Sequence, residues 1–303
     1  MQINIIALYL NMKKIDICPI CASAAQAPFL ICKDYTVSKK DFAIVVCSDC
    51  GFAFTSPRPE DSDLGAYYQS EEYISHSNTS KGVVSKLYQM VRKRTLAAKL
   101  QMINTRASKG ALLDIGCGTG EFLNACQLDG WKVQGIEPGE AARKAATASY
   151  KLTVGEESAI DILPEAHFEV ITMWHVMEHV PSLVGRVQQL KRLLKPGGLL
   201  VIAVPNRSSH DAAYYGAQWA AYDVPRHLWH FRPQDMKRLL VQGGFKLAET
   251  LPMKYDSYYV SMLSEKYKTG AVNYFAAAYR GWVSNSKAGN DRWSSQIYLF
   301  RHS

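Results

Sequence analysis

Residues 112–122, with the sequence LLDIGCGTGEF, and residues 135–138, with the sequence GIEP, decide the fold of this chain. The first stretch has the form of a buried strand, a glycine-rich turn and the start of a helix. The second is the end of another strand, followed by an acidic residue. Glycines permit tight backbone geometry and let the main chain approach a ligand closely. Glu137 stands where a carboxylate can accept hydrogen bonds from a ribose diol, so the pattern predicts a nucleotide-type site.

The spacing of the glycines narrows the choice of ligand. A dinucleotide fingerprint, G-x-G-x-x-G, would place its third glycine where this sequence has Glu121. The glycines instead follow the pattern G-x-G-x-G. Asp114 adds a carboxylate two residues before the first glycine. A carboxylate suits a cationic ligand better than a pyrophosphate, which prefers the N-terminus of a helix.

This pattern closely resembles motif I of the class I S-adenosylmethionine (SAM) methyltransferases. The alternative is an ordinary glycine-rich turn between a strand and a helix. In the methyltransferase family, the acidic residue that ends the second strand holds both ribose hydroxyls. The resemblance implies that SAM contacts Asp114, Gly116, Cys117, Gly118, Gly120, Phe122, Glu137, Pro138, Trp174 and His175. It also offers Glu156 and Glu157 as candidates for the adenine amine.

Strands and helices alternate through the rest of the sequence, which indicates a parallel sheet with helices on both faces. We expect strands at 111–115, 132–136, 152–154, 168–174, 199–204, 245–251 and 295–300. We expect helices from 121, from 140, at 183–194 and at 232–242, with a stop and turn at 195–198. The predicted fold class is α/β, a Rossmann-like methyltransferase sheet preceded by a small zinc-ribbon-like β module.

Four of the seven cysteines form two C-x-x-C pairs, which are Cys18 with Cys21 and Cys47 with Cys50. Thiolates at this spacing can occupy adjacent corners of a tetrahedron, so the two pairs predict a structural zinc site with no open corner. A thioredoxin-like redox motif and disulfides are the alternatives. Ala22 follows the first pair where Gly51 follows the second, a small departure from a symmetric pair of zinc knuckles.

Length and composition bound the organisation of the chain. Its 303 residues favour two units, and 48% hydrophobic with 20% charged residues is typical of a globular protein. We expect an N-terminal extension at 1–14, the zinc-ribbon-like module at 15–60, and a linker with N-terminal helices at 61–108. The methyltransferase domain follows at 109–303, with an aromatic-rich insertion at about 253–285.

The charge and hydropathy patterns bear on location and partners. No apolar run approaches the roughly 20 residues of a membrane span, and the first residues lack the features of a signal peptide, so we expect a cytoplasmic protein. The net charge of +8 permits nucleic acid as a partner. Much of the surplus lies on 86–109, where the solvated face of a helix is the favoured interpretation, so a nucleic-acid partner is possible but not favoured.

Two segments carry histidines. Residues 175–179 match H-x-x-E-H, the inverted zinc-protease motif, but they follow directly from a predicted strand, so protease activity is not expected. We interpret Glu178 and His179 as structural. Residues 222–231 lie where class I methyltransferases place substrate-facing loops. Histidine is suited to the base role in methyl transfer, so the predicted catalytic residues are His227, His230 and Tyr222.

The whole chain, from about residue 15, resembles a bacterial family of SAM-dependent methyltransferases with an N-terminal zinc-ribbon-like module. Some relatives are sugar C-methyltransferases, and others methylate oxygens during quinone synthesis. The resemblance therefore implies methyl transfer to a small molecule, at carbon or oxygen. The alternatives are an RNA or protein methyltransferase and a non-catalytic scaffold. The aromatic tail at 253–282 has four interpretations: packing of extra helices, an apolar acceptor pocket, a dimer contact or a membrane-surface patch.

Overall fold

The computed structural model describes residues 12–68 and 83–303, and for residues 83–89 it describes the backbone only. Nearly all of the predicted N-terminal extension and residues 69–82 of the predicted linker lie outside the described residues. No described helix combines the length and the apolar character that crossing a membrane would require.

The described elements follow one another in this order along the chain. The strands are β1 (Met12–Lys13), β2 (Gln26–Lys33), β3 (Asp41–Cys47), β4 (Ala53–Thr55), β5 (Arg58–Pro59), β6 (Ala111–Ile115), β7 (Lys132–Ile136), β8 (Val154–Gly155), β9 (Phe168–Trp174), β10 (Leu194–Pro205), β11 (Trp229–His230), β12 (Phe245–Pro252) and β13 (Ser295–His302). The α-helices are α1 (Val83–Asn104), α2 (Glu121–Leu128), α3 (Glu140–Tyr150), α4 (Leu183–Leu193), α5 (His210–Tyr215), α6 (Pro233–Gln242), α7 (Asp256–Thr269) and α8 (Tyr274–Ser286).

The central sheet has seven strands in the order β12-β13-β10-β9-β6-β7-β8. Strand β13 is antiparallel to both of its neighbours, and the other pairs are parallel. The chain runs outward from β6 through β7 to β8 and then returns to β9 on the other side of β6. Strand order therefore reverses between β6 and β9, which is where open α/β sheets bind their ligands. The predicted Rossmann-like α/β fold is confirmed.

Alternation along the strands divides the core between the two faces of the sheet. Leu112 belongs to a buried cluster that includes Ile103 of α1 and Cys126 of α2. The next residue, Leu113, points to the opposite face and belongs to a cluster that includes Leu190 of α4. Because helices cover both faces, consecutive residues of a strand are apolar. Each such side chain stabilises the fold by about 1.5–3 kcal/mol.

One predicted boundary differs from the structure. Helix α4 ends at Leu193, close to the expected position. The sequence Lys-Pro-Gly-Gly at 195–198 was predicted as a turn outside the strand, whereas β10 runs through it. The pairing of β10 with β9 is irregular between Leu194 and Leu199, so this segment forms a break in register within one long strand.

The N-terminal cysteine-bearing region has its own four-stranded antiparallel sheet, in the order β11-β4-β3-β2. Three of its strands are local, but β11 lies far along the chain, and its Trp229 is paired with Phe54 of β4. A segment between β10 and α6 therefore completes the N-terminal sheet. The sequence predicted a small β module at 15–60 but not this distant partner.

The aromatic-rich segment lies between β12 and β13, as its position in the sequence predicted, and forms α7 and α8. The two helices approach closely, since a Cβ atom on Gly281 would lie 2.9 Å from the Cα atom of Tyr258. Packing of extra helices therefore accounts for part of this segment. Several of its aromatic rings nevertheless remain exposed: Tyr255, Tyr258, Tyr259, Tyr274, Phe275, Tyr279 and Trp282.

Candidate active site

The glycine-rich turn after β6 lies at the carboxyl ends of the strands, at the place where an open α/β sheet has the crevice that binds its ligand. Gly116 has φ +74°, and a Cβ atom there would lie 2.3 Å from Cγ2 of Val176, so no other residue fits without rearrangement. Gly120, with φ +86°, is also closely packed, since a Cβ atom there would lie 2.6 Å from Cδ1 of Leu152. Gly118 differs because a Cβ atom there would meet nothing within 4 Å. The turn is thus anchored at its ends and open at its centre.

Asp114 lies buried beneath this turn. Its Oδ1 accepts a hydrogen bond of 2.6 Å from Oγ1 of Thr172 on β9. Burial raises the pKa of the Asp114 carboxyl to about 7, although the hydrogen bond from Thr172 and the positive charge of Lys99 oppose that rise. A carboxyl group with a pKa this close to neutrality responds strongly to a new positive charge nearby.

Glu137 ends β7 and faces the same turn. Its Oε2 accepts a hydrogen bond of 2.9 Å from the backbone N–H of Gly118, and its Oε1 accepts one of 2.8 Å from that of Gly139. These bonds fix the carboxylate beside the open centre of the turn. Each carboxylate oxygen retains a lone pair, so the group can still accept hydrogen bonds from a diol.

An aromatic wall closes one side of the crevice. Trp174, at the end of β9, meets Phe122 of α2 edge to face, with ring centroids 5.4 Å apart. Nζ of Lys99 lies 3.9 Å from the centroid of the Trp174 ring. Burial lowers the pKa of Lys99 to about 8, while the carboxylates of Asp256 and Asp114 oppose the fall. An ammonium group therefore lies inside the crevice.

Residues 175–179 form a turn after β9, not the helix that a zinc-protease motif requires. His175 has φ +56°, and its Nε2 lies 2.9 Å from Oδ2 of Asp256 at the start of α7. Burial lowers the pKa of His175, but the carboxylates of Asp256 and Glu178 outweigh it and raise the pKa to about 10. His175 thus connects the crevice to the aromatic-rich segment.

The structure places the three residues predicted to be catalytic in different surroundings. His230 is buried, with Nε2 3.0 Å from Oγ1 of Thr55 in the N-terminal sheet. Burial lowers its pKa well below the usual value. Tyr222 is buried against the His230 ring. His227 is half-buried, and its ring lies 4.6 Å from that of His179, which follows β9.

The four predicted zinc ligands lie together. Their Sγ atoms are all within 4.8 Å of one another, with Cys18 3.6 Å from Cys50 and Cys21 3.4 Å from Cys47. Both distances are far longer than the bond of about 2.05 Å in a disulfide. A tetrahedron with Zn–S bonds of about 2.3 Å has edges near 3.8 Å, so the cluster has the dimensions of a zinc site.

Comparison with known proteins agrees with this geometry. Residues 88–250, slightly more than half of the chain, match a family model described as a methyltransferase domain. The chain belongs to this methyltransferase family.

Two curated relatives extend the comparison. The methyltransferase is 30% identical over 200 residues to a ubiquinone biosynthesis O-methyltransferase of Marinobacter nauticus, covering 59% of this chain and 82% of the relative. It is 31% identical over 185 residues to the enzyme of that name from Maricaulis maris, covering 55% and 70%. Together with the crevice, these matches identify a SAM-dependent methyltransferase.

Solved structures agree in fold. The phosphoethanolamine N-methyltransferase 2 of Haemonchus contortus, in complex with SAM, gives a TM-score of 0.52 at 14% identity and covers 82% of this chain and 62% of its own. The geranyl diphosphate C-methyltransferase of Streptomyces coelicolor gives 0.51 at 12% identity and covers 68% and 76%. At these identities the likeness concerns the fold alone.

Three further residues that were predicted to contact SAM differ in what their atoms contact. Cys117 belongs to the glycine-rich turn, but its sulfur packs toward Gly135, and its backbone N–H donates to the carbonyl oxygen of Ile136 at 3.1 Å. Pro138 follows Glu137, and its carbonyl oxygen accepts a hydrogen bond of 2.7 Å from Arg143. Glu157 forms an ion pair with Arg186.

Three residues of the crevice were not predicted from the sequence. Lys99 was interpreted as part of a solvated basic face, and neither Thr172 nor Asp256 was singled out. They come from α1, β9 and α7, three elements far apart in the sequence. The one available signal was at Thr172, a polar residue between Ile171 and Met173 in the middle of a predicted strand.

Proposed function

We propose that this methyltransferase binds SAM in the crevice between β6 and β9 and transfers its methyl group to a small-molecule acceptor. The observation that carries the proposal is the pairing of Glu137 with the open centre of the glycine-rich turn. Its carboxylate is fixed 2.9 Å from the backbone N–H of Gly118, where a ribose diol can be held. Asp114 would balance the positive charge of the ligand from below.

The remaining contacts with SAM follow from the same geometry. The proposed binding residues are Asp114, Gly116, Cys117, Gly118, Gly120, Phe122, Glu137, Pro138, Trp174 and His175, with Lys99 added. The ammonium group of Lys99 lies over the Trp174 ring, and from there it would form an ion pair with the carboxylate of the methionyl group of SAM. When bound, SAM supplies an electrophilic methyl group, and its sulfur keeps the electron pair of the broken C–S bond.

The acceptor would approach from the side of His227. Of the three residues predicted to be catalytic, His227 is half-buried, and it lies beside the turn that follows β9. We propose that His227 acts on the nucleophilic atom of the acceptor, while His230 and Tyr222 hold its segment in place from within the N-terminal sheet. Positioning of this kind supplies much of the rate of a displacement reaction.

An oxygen atom of a small molecule is the favoured acceptor. The curated relatives are named as O-methyltransferases, which supports this class. The charges of residues 86–109 favour it over RNA, because several of the positive charges are paired within the chain. Arg92 pairs with Glu121, and Arg106 pairs with Glu249 at 2.8 Å.

The cysteine cluster is proposed as a structural zinc site at Cys18, Cys21, Cys47 and Cys50. The geometry fits zinc, and four protein ligands leave no position for catalysis. Reduced thiols require a reducing compartment, which supports a cytoplasmic location. We retain the proposed division into a module at 15–60, a connecting region at 61–108 and a methyltransferase domain at 109–303. Arg232 links the first and last parts through a hydrogen bond of 2.7 Å to the carbonyl oxygen of Cys50.

Native mass spectrometry of the full chain, with and without SAM, tests the proposal. We expect one zinc and one SAM, or its demethylated product, per chain. Transfer of labelled methyl from SAM to phenolic small molecules then identifies the acceptor class. Zinc without any bound nucleoside would instead support the scaffold function. Methylation of RNA that weakens steeply with salt would support an RNA methyltransferase.

A further inference from the structure

Helix α8 has an apolar face that points away from the rest of the protein. Its buried residues are small, and they are Ala277, Gly281 and Ser284. The exposed positions of its first two and a half turns carry Tyr274, Phe275, Ala278, Tyr279 and Trp282. A surface helix ordinarily buries its large apolar side chains and exposes polar ones. Packing within the chain therefore does not explain the rings of α8.

Helix α7 shows the same inversion next to α8. Three of its buried residues are Ser257, Ser261 and Ser264, whereas tyrosines are exposed at 255, 258 and 259. The two sets of rings adjoin, because a Cβ atom on Gly281 of α8 would lie 2.6 Å from Cδ1 of Tyr258. Together they form an aromatic surface that consists of Tyr255, Tyr258, Tyr259, Tyr274, Phe275, Tyr279 and Trp282. Apolar surface of this extent marks an interaction site.

The segment that carries the aromatic surface is rich in positive charge. Residues 253–292 include six lysines and arginines but three acidic residues. Of these acids, Glu265 is buried and Asp256 pairs with His175, so Asp291 is the exposed acid of this described segment. The cations are Lys254, Lys266, Lys268, Arg280, Lys287 and Arg292. A partner of this surface should therefore carry negative charge.

The cations flank the rings of the aromatic surface. Lys254 precedes α7, Lys268 lies in its last turn, and Lys287 follows α8. The guanidinium carbon of Arg280 lies 5.4 Å from the centroid of the Tyr279 ring. The same carbon lies 3.9 Å from the centroid of the Tyr214 ring on α5, which is also exposed. Rings on the helix faces are thus combined with cations at the helix ends and margins.

We propose that the aromatic surface binds an anionic lipid bilayer. Tyrosine and tryptophan favour the boundary between headgroups and acyl chains, because each has an apolar ring and a polar group. Phe275, which is 91% exposed, inserts among the acyl chains, while Lys268 and Arg280 meet the lipid phosphates. A second copy of this chain fits less well, because a symmetric contact would bring the same cations together.

Co-sedimentation of the full chain with lipid vesicles tests the proposal. We expect binding to vesicles of phosphatidylcholine and phosphatidylglycerol in equal parts, and little binding to vesicles of phosphatidylcholine alone. The double variant Phe275→Ser with Trp282→Ser should weaken binding by about tenfold or more, because the apolar insertion is lost. Lys268→Glu should weaken it by about tenfold, because an attraction to the phosphates becomes a repulsion. All three side chains are exposed, so these variants should fold.

Matched control variants lie on the opposite side of the central sheet. Ile162→Ser removes an apolar side chain that is 85% exposed, after the edge strand β8. Lys132→Glu reverses an exposed charge at the start of β7. Both variants should bind the anionic vesicles as the wild type does. Vesicles with brominated acyl chains should quench the fluorescence of the wild type more than that of Trp282→Phe, since insertion brings Trp282 close to the bromine atoms.

The absence of binding to anionic vesicles would overturn the proposal, and so would binding that the double variant and Lys268→Glu both retain. A dimer, or a complex with single-stranded RNA, that requires Phe275 and Trp282 while vesicles do not bind would assign the surface to that partner instead. SAM is absent from these measurements, so their outcome is independent of the proposed function.

Discussion

Ala22 and Gly51 occupy equivalent places after the two cysteine pairs, and both have a left-handed backbone. Ala22 has φ +61°, and Gly51 has φ +73°. Each backbone N–H donates to the carbonyl oxygen of the first cysteine of its pair, at 2.9 Å for Ala22 and 2.8 Å for Gly51. The departure from symmetry noted in the sequence is therefore a change of residue and not of conformation.

Replacing Gly51 with alanine should destabilise the protein. The new side chain is strained at φ +73°, and its Cβ atom would lie 2.8 Å from Nη1 of Arg232. We expect a loss of about 1–2 kcal/mol in the free energy of unfolding, measured by urea denaturation. Ala22→Gly is the matched control and should be neutral or stabilising. Equal stability of Gly51→Ala and the wild type would contradict the left-handed knuckle.

Asp114 should make the binding of SAM depend on pH. Because its pKa is about 7, the carboxyl group is largely protonated at pH 6.5. A bound sulfonium and ammonium favour the charged form, so we expect proton release when SAM binds at this pH. Calorimetry in buffers of different ionisation enthalpy measures the release, which should vanish in Asp114→Asn. Equal apparent enthalpies in all buffers for the wild type would show that Asp114 does not titrate.

The same carboxyl group should affect stability in the absence of SAM. Its pKa is raised in the folded chain, from an ordinary value of 3.8 to about 7. Between these values the folded chain binds more protons than the unfolded chain. Its contribution therefore falls as the pH rises from about 4 to about 7 and is constant above that range. Asp114→Asn should lack this component of the pH dependence of unfolding.

Residues within one strand–turn–helix unit were predictable, because their spacing encodes their geometry. Asp114 and Glu137 belong to adjacent units and were identified from the sequence. Lys99 and Asp256 face the same crevice from α1 and α7, and no local pattern indicates that a lysine on an amphipathic helix turns inward. Such residues require knowledge of how the helices pack.

The segment at 222–231 is a connection between two parts of the protein. It was predicted to face substrate, and His227 is compatible with that role. Its end is instead strand β11 of the N-terminal sheet, which explains the burial of His230. Its Arg226 is buried and pairs with Asp34, at 3.1 Å, and with Asp223. The sequence did not predict the pairing of Arg226 with Asp34, because these two residues are almost 200 positions apart.

Asp34→Asn tests the importance of this connection. The Asp34 carboxylate accepts hydrogen bonds from the backbone and hydroxyl of Ser38 and pairs with Arg226. Burial raises the pKa of this carboxyl, but these partners outweigh burial and hold the pKa well below the usual range. Its loss leaves Arg226 with one carboxylate partner. We expect a loss of about 2–3 kcal/mol in the free energy of unfolding. The exposed Asp16→Asn should change it by less than about 0.5 kcal/mol, and a similar value for Asp34→Asn would refute the connection.

The four-stranded N-terminal sheet and the seven-stranded central sheet are joined in two ways, by β11 and by a shared hydrophobic core. Phe52 belongs to the same buried cluster as Met236 of α6. The pairing of residues 53–54 with residues 229–230 brings together distant parts of the chain, so hydrophobic periodicity could not predict it. The sequence therefore predicted two units but not the way in which one supports the other.

Loss of the proposed zinc should consequently reduce methyl transfer more than SAM binding. The variant Cys50→Ser should weaken the N-terminal sheet, which includes β11, and so release the segment that carries His227. The glycine-rich turn follows a strand of the seven-stranded sheet and should keep its structure. We expect at least a tenfold fall in kcat with a Kd for SAM within about threefold of the wild type. The exposed neighbour Ser48→Ala is the control. An unchanged kcat in a zinc-free variant would contradict the supporting role of the module.

Calorimetric titration of SAM into the wild type and into Glu137→Gln measures whether the crevice binds SAM through this carboxylate. We expect saturable binding of one SAM per chain that Glu137→Gln weakens by about 10–100-fold, because hydrogen bonds to a charged group contribute about 1.5–3 kcal/mol. Glu140→Gln, exposed at the start of α3, should bind SAM as the wild type does. Equal affinity in Glu137→Gln, or no binding by the wild type, would contradict the assignment of the crevice.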